Sequence, residues 1–371
     1  MKIEKQVLTT LPNCYSANSI VVDGVTRILV ASEGEGPCLA WAGPDYDTAH
    51  TVWEGPGGTM SIVPIPGTNG EFLAVQKFFR MFQWEEAKVV HVRPLPSGEY
   101  KVTDILQLPY IHRFDLLTVG DRHYFIACTL ATTKDSKEDW SNPGKIWVGE
   151  YTGVGALEIK VLKDGITKNH GYSRLTQDGV MRALVTGEEG AFEVTPPQSA
   201  DAEWKVKQLM NWPISDISAI DIDGDGELEF ATIEPFHGTF FRIYKKIDGS
   251  FRKIYEHAET TEFYHVVVAT TLAGVPVFIG GCRRGKQELF YVRASQTKPL
   301  TLETVLIESG VGPSNVYVLH EKARDIVVAA NRETDQAALY IATPVSSPIR
   351  GSVAMPCDEV LPLKQLAPND R

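Results

Sequence analysis

The chain contains few cysteines and no cysteine motif. Its 371 residues include five cysteines, an odd and scattered set without a Cys-x-x-Cys pair: Cys14, Cys38, Cys128, Cys282 and Cys357. This pattern indicates no disulfide framework. A reduced, cytoplasmic protein is the simplest interpretation, unless processing removed a signal before this numbering begins.

Positive charge and long apolar runs are also scarce. Lys and Arg number 36 against 47 Asp and Glu, which gives a formal net charge of −11. This balance argues against broad binding to nucleic acids or anionic membranes, because both require basic patches. The first residues, MKIEKQVLTT, lack the apolar segment of a secretory signal. The longest nearly uncharged stretch, residues 263–281, contains Gly274 and Pro276 and fits two strands with a hairpin better than a membrane helix.

What the chain does contain is a repeat. A pattern of one outer strand, a short polar segment and two inner strands occurs seven times, at a spacing of roughly fifty residues. Such a period is typical of repeat architectures, and seven four-stranded units indicate a β-propeller. No long segment has helical periodicity. We therefore predict an all-β fold of seven four-stranded antiparallel blades, whose inner pairs begin near Asn18, Ser61, His112, His170, Asp216, His265 and Asn315.

The N-terminus is predicted to close the ring. Six outer strands lie between the seven inner pairs, and Ile3–Leu8 has the same pattern as those six. A strand from the N-terminus in the last blade would remove the open sheet edge that promotes aggregation. The prediction is one domain over residues 1–343. The Pro-rich residues 344–371 are predicted to form a surface-bound or partly disordered tail.

Three histidines occupy one position of the repeat. His112, His170 and His265 begin the innermost strands of their blades, and Asp216 has that position in blade 5. Equivalent positions of a propeller converge on its axis. Three neutral imidazoles with open positions are typical of catalytic metal sites, so zinc, manganese or iron is predicted here. The alternative is structural: histidines of WD-repeat blades bond to backbone, although the Trp-Asp dipeptide is missing from these blades.

The second inner strand returns toward the histidine face, so the segments after it are predicted to rim the same funnel. Within those segments, Lys77, Arg80, Arg283 and Arg332 are candidates for orienting a polar substrate, together with Asn315. Asp216, His237 and Glu234 are the candidates for a general acid or base; Asp216 is also a candidate fourth metal ligand. A polar insertion, Leu130–Pro143, has the length of a functional loop.

The hairpin of blade 5 carries the sharpest local motif. Alternate carboxylates with intervening glycines, as in Asp221-Ile-Asp223-Gly-Asp225-Gly-Glu-Leu-Glu229, can surround a hard cation. The motif resembles the calcium loop of FG-GAP or VCBS propeller repeats. The resemblance implies a structural calcium bound by Asp221, Asp223, Asp225 and Glu229, on the face away from the histidines. An empty Asp-Gly turn is the alternative.

The resemblance extends, more distantly, to the propeller part of aldos-2-ulose dehydratase, and the general plan is similar to that of oligogalacturonate lyase. These similarities imply a metal-dependent lyase, dehydratase or isomerase that acts on a keto-sugar or uronate. The runner-up is a non-catalytic propeller that binds a glycan or a protein partner. The expected partner is thus a small carbohydrate-derived substrate, and the oligomeric state stays open.

Overall fold

The computed structural model describes residues 1–79, 84–199, 201–258 and 261–344. In these ranges the chain forms 28 β-strands and one short 3-10 helix, Arg332–Thr334. The strands make seven sheets of four strands each, and neighbouring strands are antiparallel. The predicted all-β, seven-bladed propeller is confirmed. The predicted tail lies outside the described residues from 345 onward, as does Arg80.

Each blade takes four strands in chain order. The first strand, β1, is Lys2–Thr10. Blade 1 contains β2–β5: Cys14–Val22, Val25–Ser32, Cys38–Ala42 and Ala49–Trp53. Blade 2 contains β6–β9: Ile62–Pro64, Phe72–Gln76, Lys88–Pro94 and Tyr100–Gln107. Blade 3 contains β10–β13: Ile111–Val119, Arg122–Thr129, Gly144–Tyr151 and Ile159–Ile166. Blade 4 contains β14–β17: Tyr172–Gln177, Val180–Gly187, Gly190–Thr195 and Lys205–Met210.

The remaining blades follow the same order. Blade 5 contains β18–β21: Asp216–Ile220, Glu229–Glu234, Phe240–Ile247 and Ser250–Glu256. Blade 6 contains β22–β25: Tyr264–Leu272, Val275–Cys282, Leu289–Thr297 and Leu300–Glu308. Blade 7 contains β26–β28: Pro313–His320, Asp325–Asn331 and Gln336–Thr343. In every blade the first strand is the innermost.

Blade 7 obtains its fourth strand from the N-terminus. β1 pairs antiparallel with β28, from Lys2 opposite Thr343 to Thr10 opposite Gln336. The strand order of this sheet is β1-β28-β27-β26. The predicted closure by Ile3–Leu8 is therefore confirmed. The N-terminal strand covers the edge of β28, which would otherwise be unpaired.

Burial follows the position of a strand within its blade. All residues of β7 and β27 are buried, because each second strand is covered on both faces by neighbouring blades. The outermost strands, such as β9, consist mostly of exposed and partly buried residues. The inner hairpins turn on pairs with positive φ, for example Asp23-Gly24 and Asp178-Gly179, which suits the twist of a two-residue turn. No helix in the described residues is long and apolar enough to cross a membrane.

Candidate active site at the propeller axis

The histidines lie where the innermost strands begin. His112 in β10 and His265 in β22 each interrupt the pairing with the second strand, between Ile111 and Arg113 and between Tyr264 and Val266. Such bulges redirect a side chain out of the regular alternation. His170 lies two residues before the start of β14. All three imidazoles are buried.

Each of these rings is fixed by a hydrogen bond to the next blade in the cluster. His112 Nδ1 lies 3.2 Å from the carbonyl oxygen of His170, and His170 Nδ1 lies 3.3 Å from that of Ser215. His265 Nδ1 makes the same contact with the carbonyl of Ser314. A carbonyl only accepts, so each Nδ1 carries the proton and each Nε2 of the neutral ring keeps its lone pair.

The same hydrogen bonds show that the sequence alignment of the blades was one residue too far along the chain in blades 5 and 7. Since each histidine bonds to the carbonyl at its own position in the next blade, Ser215 and Ser314 are the equivalents of the histidines in blades 5 and 7. Asp216 and Asn315 lie one residue further along. In blade 1 the equivalent residue is Tyr15, at the bulge between Cys14 and Ser16, and its Oη lies 3.4 Å from His265 Nε2.

A fourth histidine completes the cluster from a loop. His237 follows β19, and its Nε2 lies 3.1 Å from the Nε2 of His170. Its backbone has a φ of 47° and its N–H donates to Ser215 Oγ at 3.1 Å, which holds the loop against the axis. Nitrogen atoms of His170, His237 and His265 all lie within 4.8 Å of one another. His112 instead packs against His170, with ring centroids 4.4 Å apart.

The three histidines that converge are therefore not the three that the sequence predicted as metal ligands. The sequence assigned His112 to the metal and His237 to acid–base work, whereas the geometry groups His237 with His170 and His265. Burial, together with neighbouring charges, lowers the pKa of all four imidazoles, and for His170 to about 3. Neutral imidazole is the form that binds a metal. The fixed Nε2 lone pairs of His170 and His265, with a nitrogen of His237 within 4.8 Å of both rings' ligand atoms, therefore fit a divalent transition metal.

An axial cavity of about 550 Å³ extends from His265 along the innermost strands toward the hairpin face. The predicted funnel lies on the opposite face, so the open space is found on the other side of the histidines. Polar groups from several blades line the cavity: Asn18, Ser61, Arg113, Asp216, Ser218 and Asn315. Among the predicted residues, Asp216 and Asn315 thus line the same cavity as a histidine of the cluster.

Asp216 is poised for proton transfer near neutral pH. Its side chain is buried, and Oδ1 accepts a hydrogen bond from the Ile217 N–H at 2.9 Å. Burial raises its pKa to about 7, although Arg113 opposes this shift. A carboxyl group with this pKa can accept or release a proton at physiological pH. The geometry is compatible with the predicted role as general acid or base.

Most of the predicted rim residues already have partners. Lys77 pairs with Glu86 at 2.7 Å, and Arg332 pairs with the buried Glu33 at 2.6 Å. Arg283 pairs with Glu333 at 2.7 Å, but its guanidinium also covers Phe263, which contacts His237. Glu234 accepts hydrogen bonds from Trp212, Thr232 and Arg242. These contacts give Glu234 a structural role in blade 5 and leave Arg283 nearest the cluster.

Aromatic side chains cover the rim side of the histidines. Phe236 stacks on His237, with centroids 4.1 Å apart, and Phe78 contacts His112. Trp140, in the predicted insertion 130–143, contacts Phe236 at a centroid distance of 5.5 Å. The insertion therefore reaches the site. The insertion could be recognised from the sequence, but the contact of Trp140 with the site could not.

The acidic loop of blade 5 has a different arrangement. The Nζ atom of Lys245 lies 3.0 Å from Asp223, 2.8 Å from Asp225 and 2.6 Å from Glu229. Asp221 accepts hydrogen bonds from the backbone N–H groups of Gly224 and Gly226. An ammonium group thus lies among the carboxylates that the sequence assigned to calcium. The calcium ion itself stays a prediction.

Fold and site together define a seven-bladed β-propeller with a histidine cluster on its axis. No family model and no curated protein matches the sequence, so the FG-GAP/VCBS resemblance is not confirmed. The fold is similar to that of a catalytically inactive histidine-to-alanine variant of virginiamycin B lyase from Staphylococcus aureus, crystallised with quinupristin. The TM-score is 0.57 at 13% identity, over 93% of this chain and 99% of that chain.

A second solved structure has the same architecture. It is a candidate 6-phosphogluconolactonase from Bacteroides uniformis, with a TM-score of 0.54, 10% identity, and coverage of 86% of this chain and 90% of that chain. At these identities the likeness shows the fold alone. The chemistry of this chain has to be argued from its own residues.

Proposed function

We propose that this chain is a metal-dependent lyase or isomerase for a sugar-derived substrate. The observation that carries the proposal is the convergence of the His170, His237 and His265 nitrogens within 4.8 Å. Two of these rings have their Nδ1 protons fixed by backbone carbonyls, an arrangement that orients histidine ligands in metal sites. A non-catalytic scaffold has no need for such a cluster.

The surroundings of the histidines and of Asp216 suggest a separate catalytic role for each. A divalent metal held by the three imidazoles would supply Lewis acidity toward a substrate carbonyl or carboxylate. Asp216, with a pKa of about 7, would remove or return the proton on the adjacent carbon. Tyr15, whose pKa is raised by burial, keeps its proton, and its Oη lies beside the cluster, 3.4 Å from His265 Nε2.

The fold likeness supports an enzyme of this kind without specifying it. One similar structure is a lyase whose histidine-to-alanine variant is catalytically inactive, and the other is a candidate lactonase. The runner-up, a scaffold that binds a glycan or protein, is favoured by one observation. His112, His170 and His265 bond to the backbone of neighbouring blades, as structural histidines would.

Elemental analysis of the purified protein, with a chelation-reversible activity screen on keto-sugars and unsaturated uronates, tests the proposal. We expect about one divalent transition metal per chain and activity that a chelator removes and the metal restores. His170→Ala should lose both, whereas His91→Ala should lose neither. His91 is the matched control, since it is equally buried but lies off the axis against Glu71. Wild-type metal content in His170→Ala would refute the metal site.

A further inference from the structure

Arg113 is a cation without an anionic partner at the centre of the molecule. Its Nη1 donates one hydrogen bond, to the carbonyl of Met60 at 2.9 Å, and its guanidinium lies over the Tyr15 ring. No carboxylate of the described residues forms an ion pair with it. The neighbouring Arg174, by contrast, is bound to Asp115 through two nitrogens. Arg113 thus has free N–H groups in a half-buried position.

These free donors face the axial cavity. Arg113 follows His112 in β10 and lines the same space as His265 and Asp216. Its positive charge contributes to the lowered pKa of the clustered histidines, which places the guanidinium within electrostatic reach of all four rings. An unpaired guanidinium inside a cavity is a site for an anion, and its planar fork matches a carboxylate best.

The other walls of the cavity combine neutral polar groups with apolar residues and with Arg174, whose charge is paired with Asp115. Asn18 and Asn315 come from blades 1 and 7, and Ser61 and Ser218 from blades 2 and 5. Amide and hydroxyl groups of this kind bond to the hydroxyls of a sugar. A volume of about 550 Å³ lies in the range typical of small-molecule sites.

We infer that the axial cavity binds a sugar acid, with its carboxylate on Arg113 and its hydroxyls on the asparagine and serine groups. The substrate enters from the hairpin face rather than from the aromatic rim. This inference rests on the proposed function and narrows it, since a neutral keto-sugar would leave Arg113 unpaired. Asp216 lies in the same cavity and would face a carbon next to the bound carboxylate.

Calorimetric titration with D-glucuronate and D-galacturonate, each compared with neutral D-glucose and D-galactose, tests the inference. We expect the wild type to bind at least one of the acids and to bind the matching hexose at least about tenfold more weakly, since a charge-assisted hydrogen bond is lost. Arg113→Met should abolish this preference, and Arg113→Lys should restore part of it. Arg182→Met is the matched control, because Arg182 is also half-buried and also donates to one backbone carbonyl, that of Gln177.

Three results would overturn the inference: no binding of either acid, equal binding of acid and hexose, or an unchanged preference in Arg113→Met. Metal content and melting temperature are measured on the same samples. If Arg113→Met loses the preference while it keeps wild-type metal content and folding, the anion site is supported independently of the metal. A wild type that binds the acids but contains no metal would contradict the proposed function and leave the anion site intact.

Discussion

In the part of the chain that the structure describes, two clusters of side chains could hold a cation, and they are built in opposite ways. On the axis, nitrogens of three neutral imidazoles converge within 4.8 Å of one another. In the hairpin of blade 5, carboxylates converge around the ammonium group of Lys245. The axial site therefore offers lone pairs to an incoming metal, whereas the negative charge of the hairpin is partly compensated by Lys245.

The difference shows why a motif read in isolation is a weak guide. The Asp221–Glu229 segment has the ligand types and spacing of a calcium loop, yet its neighbour in β20 supplies a positive charge at 2.6 Å from Glu229. Calcium would compete with Lys245 for Asp223, Asp225 and Glu229, although Asp221, Asp223 and Asp225 lie within 4.8 Å of one another. At the axis no lysine or arginine of the described residues donates a hydrogen bond to the clustered histidines, and the nearby cation Arg113 acts on them only from a distance.

Acidification of the metal-free protein should produce the largest effect. Unfolded histidines gain protons below pH 6.5, while the lowered pKa values keep the four clustered rings neutral, so stability is lost as pH falls. Each ring contributes about 1.4 kcal/mol per pH unit. We expect the urea midpoint to fall steeply from pH 6.5 to 5 in chelator-treated protein. His237→Gln should reduce the slope and the exposed His50→Gln should not; identical slopes would contradict the account.

Replacing Lys245 should come next in size. Lys245→Met leaves Glu229, which is fully buried, and Asp223 without their counter-charge, so we expect a loss of about 3–5 kcal/mol. Added calcium should restore much of this stability in the variant while it changes the wild type little. Differential scanning calorimetry with and without calcium checks both points. Lys246→Met, at the adjacent position of β20, is the control. A large calcium effect on the wild type would show that the ion displaces Lys245.

The smallest effect concerns Asp216. Its pKa of about 7 exceeds the usual 3.8, so the folded state binds the extra proton between these values and stability falls as pH rises through that window. Asp216→Asn should therefore be more stable than the wild type at pH 8 by about 1–3 kcal/mol, with activity lost. Melting curves at pH 5 and pH 8 measure the gain. An equal difference at both pH values would mean that the carboxyl does not titrate in this range.

The architecture could be predicted from the sequence because local signals repeat. Asp23-Gly24 and Asp178-Gly179 mark tight hairpins, and Ile3–Leu8 has the pattern of an outer strand, so blade number and closure followed. The site was only partly predictable. Bulges at Tyr15, His112 and His265 add a residue that no alternation pattern reveals. The hairpin of blade 5 is also longer, since Asp216 pairs with Ile233, and this difference is why Asp216 was placed in the position of Ser215.

The partners of charged side chains could not be predicted either. Lys77, Arg332 and Glu234 looked available in the sequence, but each pairs with a residue brought in by another segment. Arg113 was missed for the converse reason, since only the structure shows that it has no carboxylate. Its position directly after His112 was the signal that the sequence offered.

The central claim is that His170, His237 and His265 form one metal site, and titration of chelator-stripped protein with zinc against an indicator tests it most directly. The wild type and His112→Ala should each bind one equivalent, because His112 packs beside the trio without joining it. His237→Ala should bind more than about 100-fold more weakly, beyond the cost of losing an outer-shell partner. Tight binding by His237→Ala, together with its loss in His112→Ala, would contradict the account and restore the trio read from the sequence.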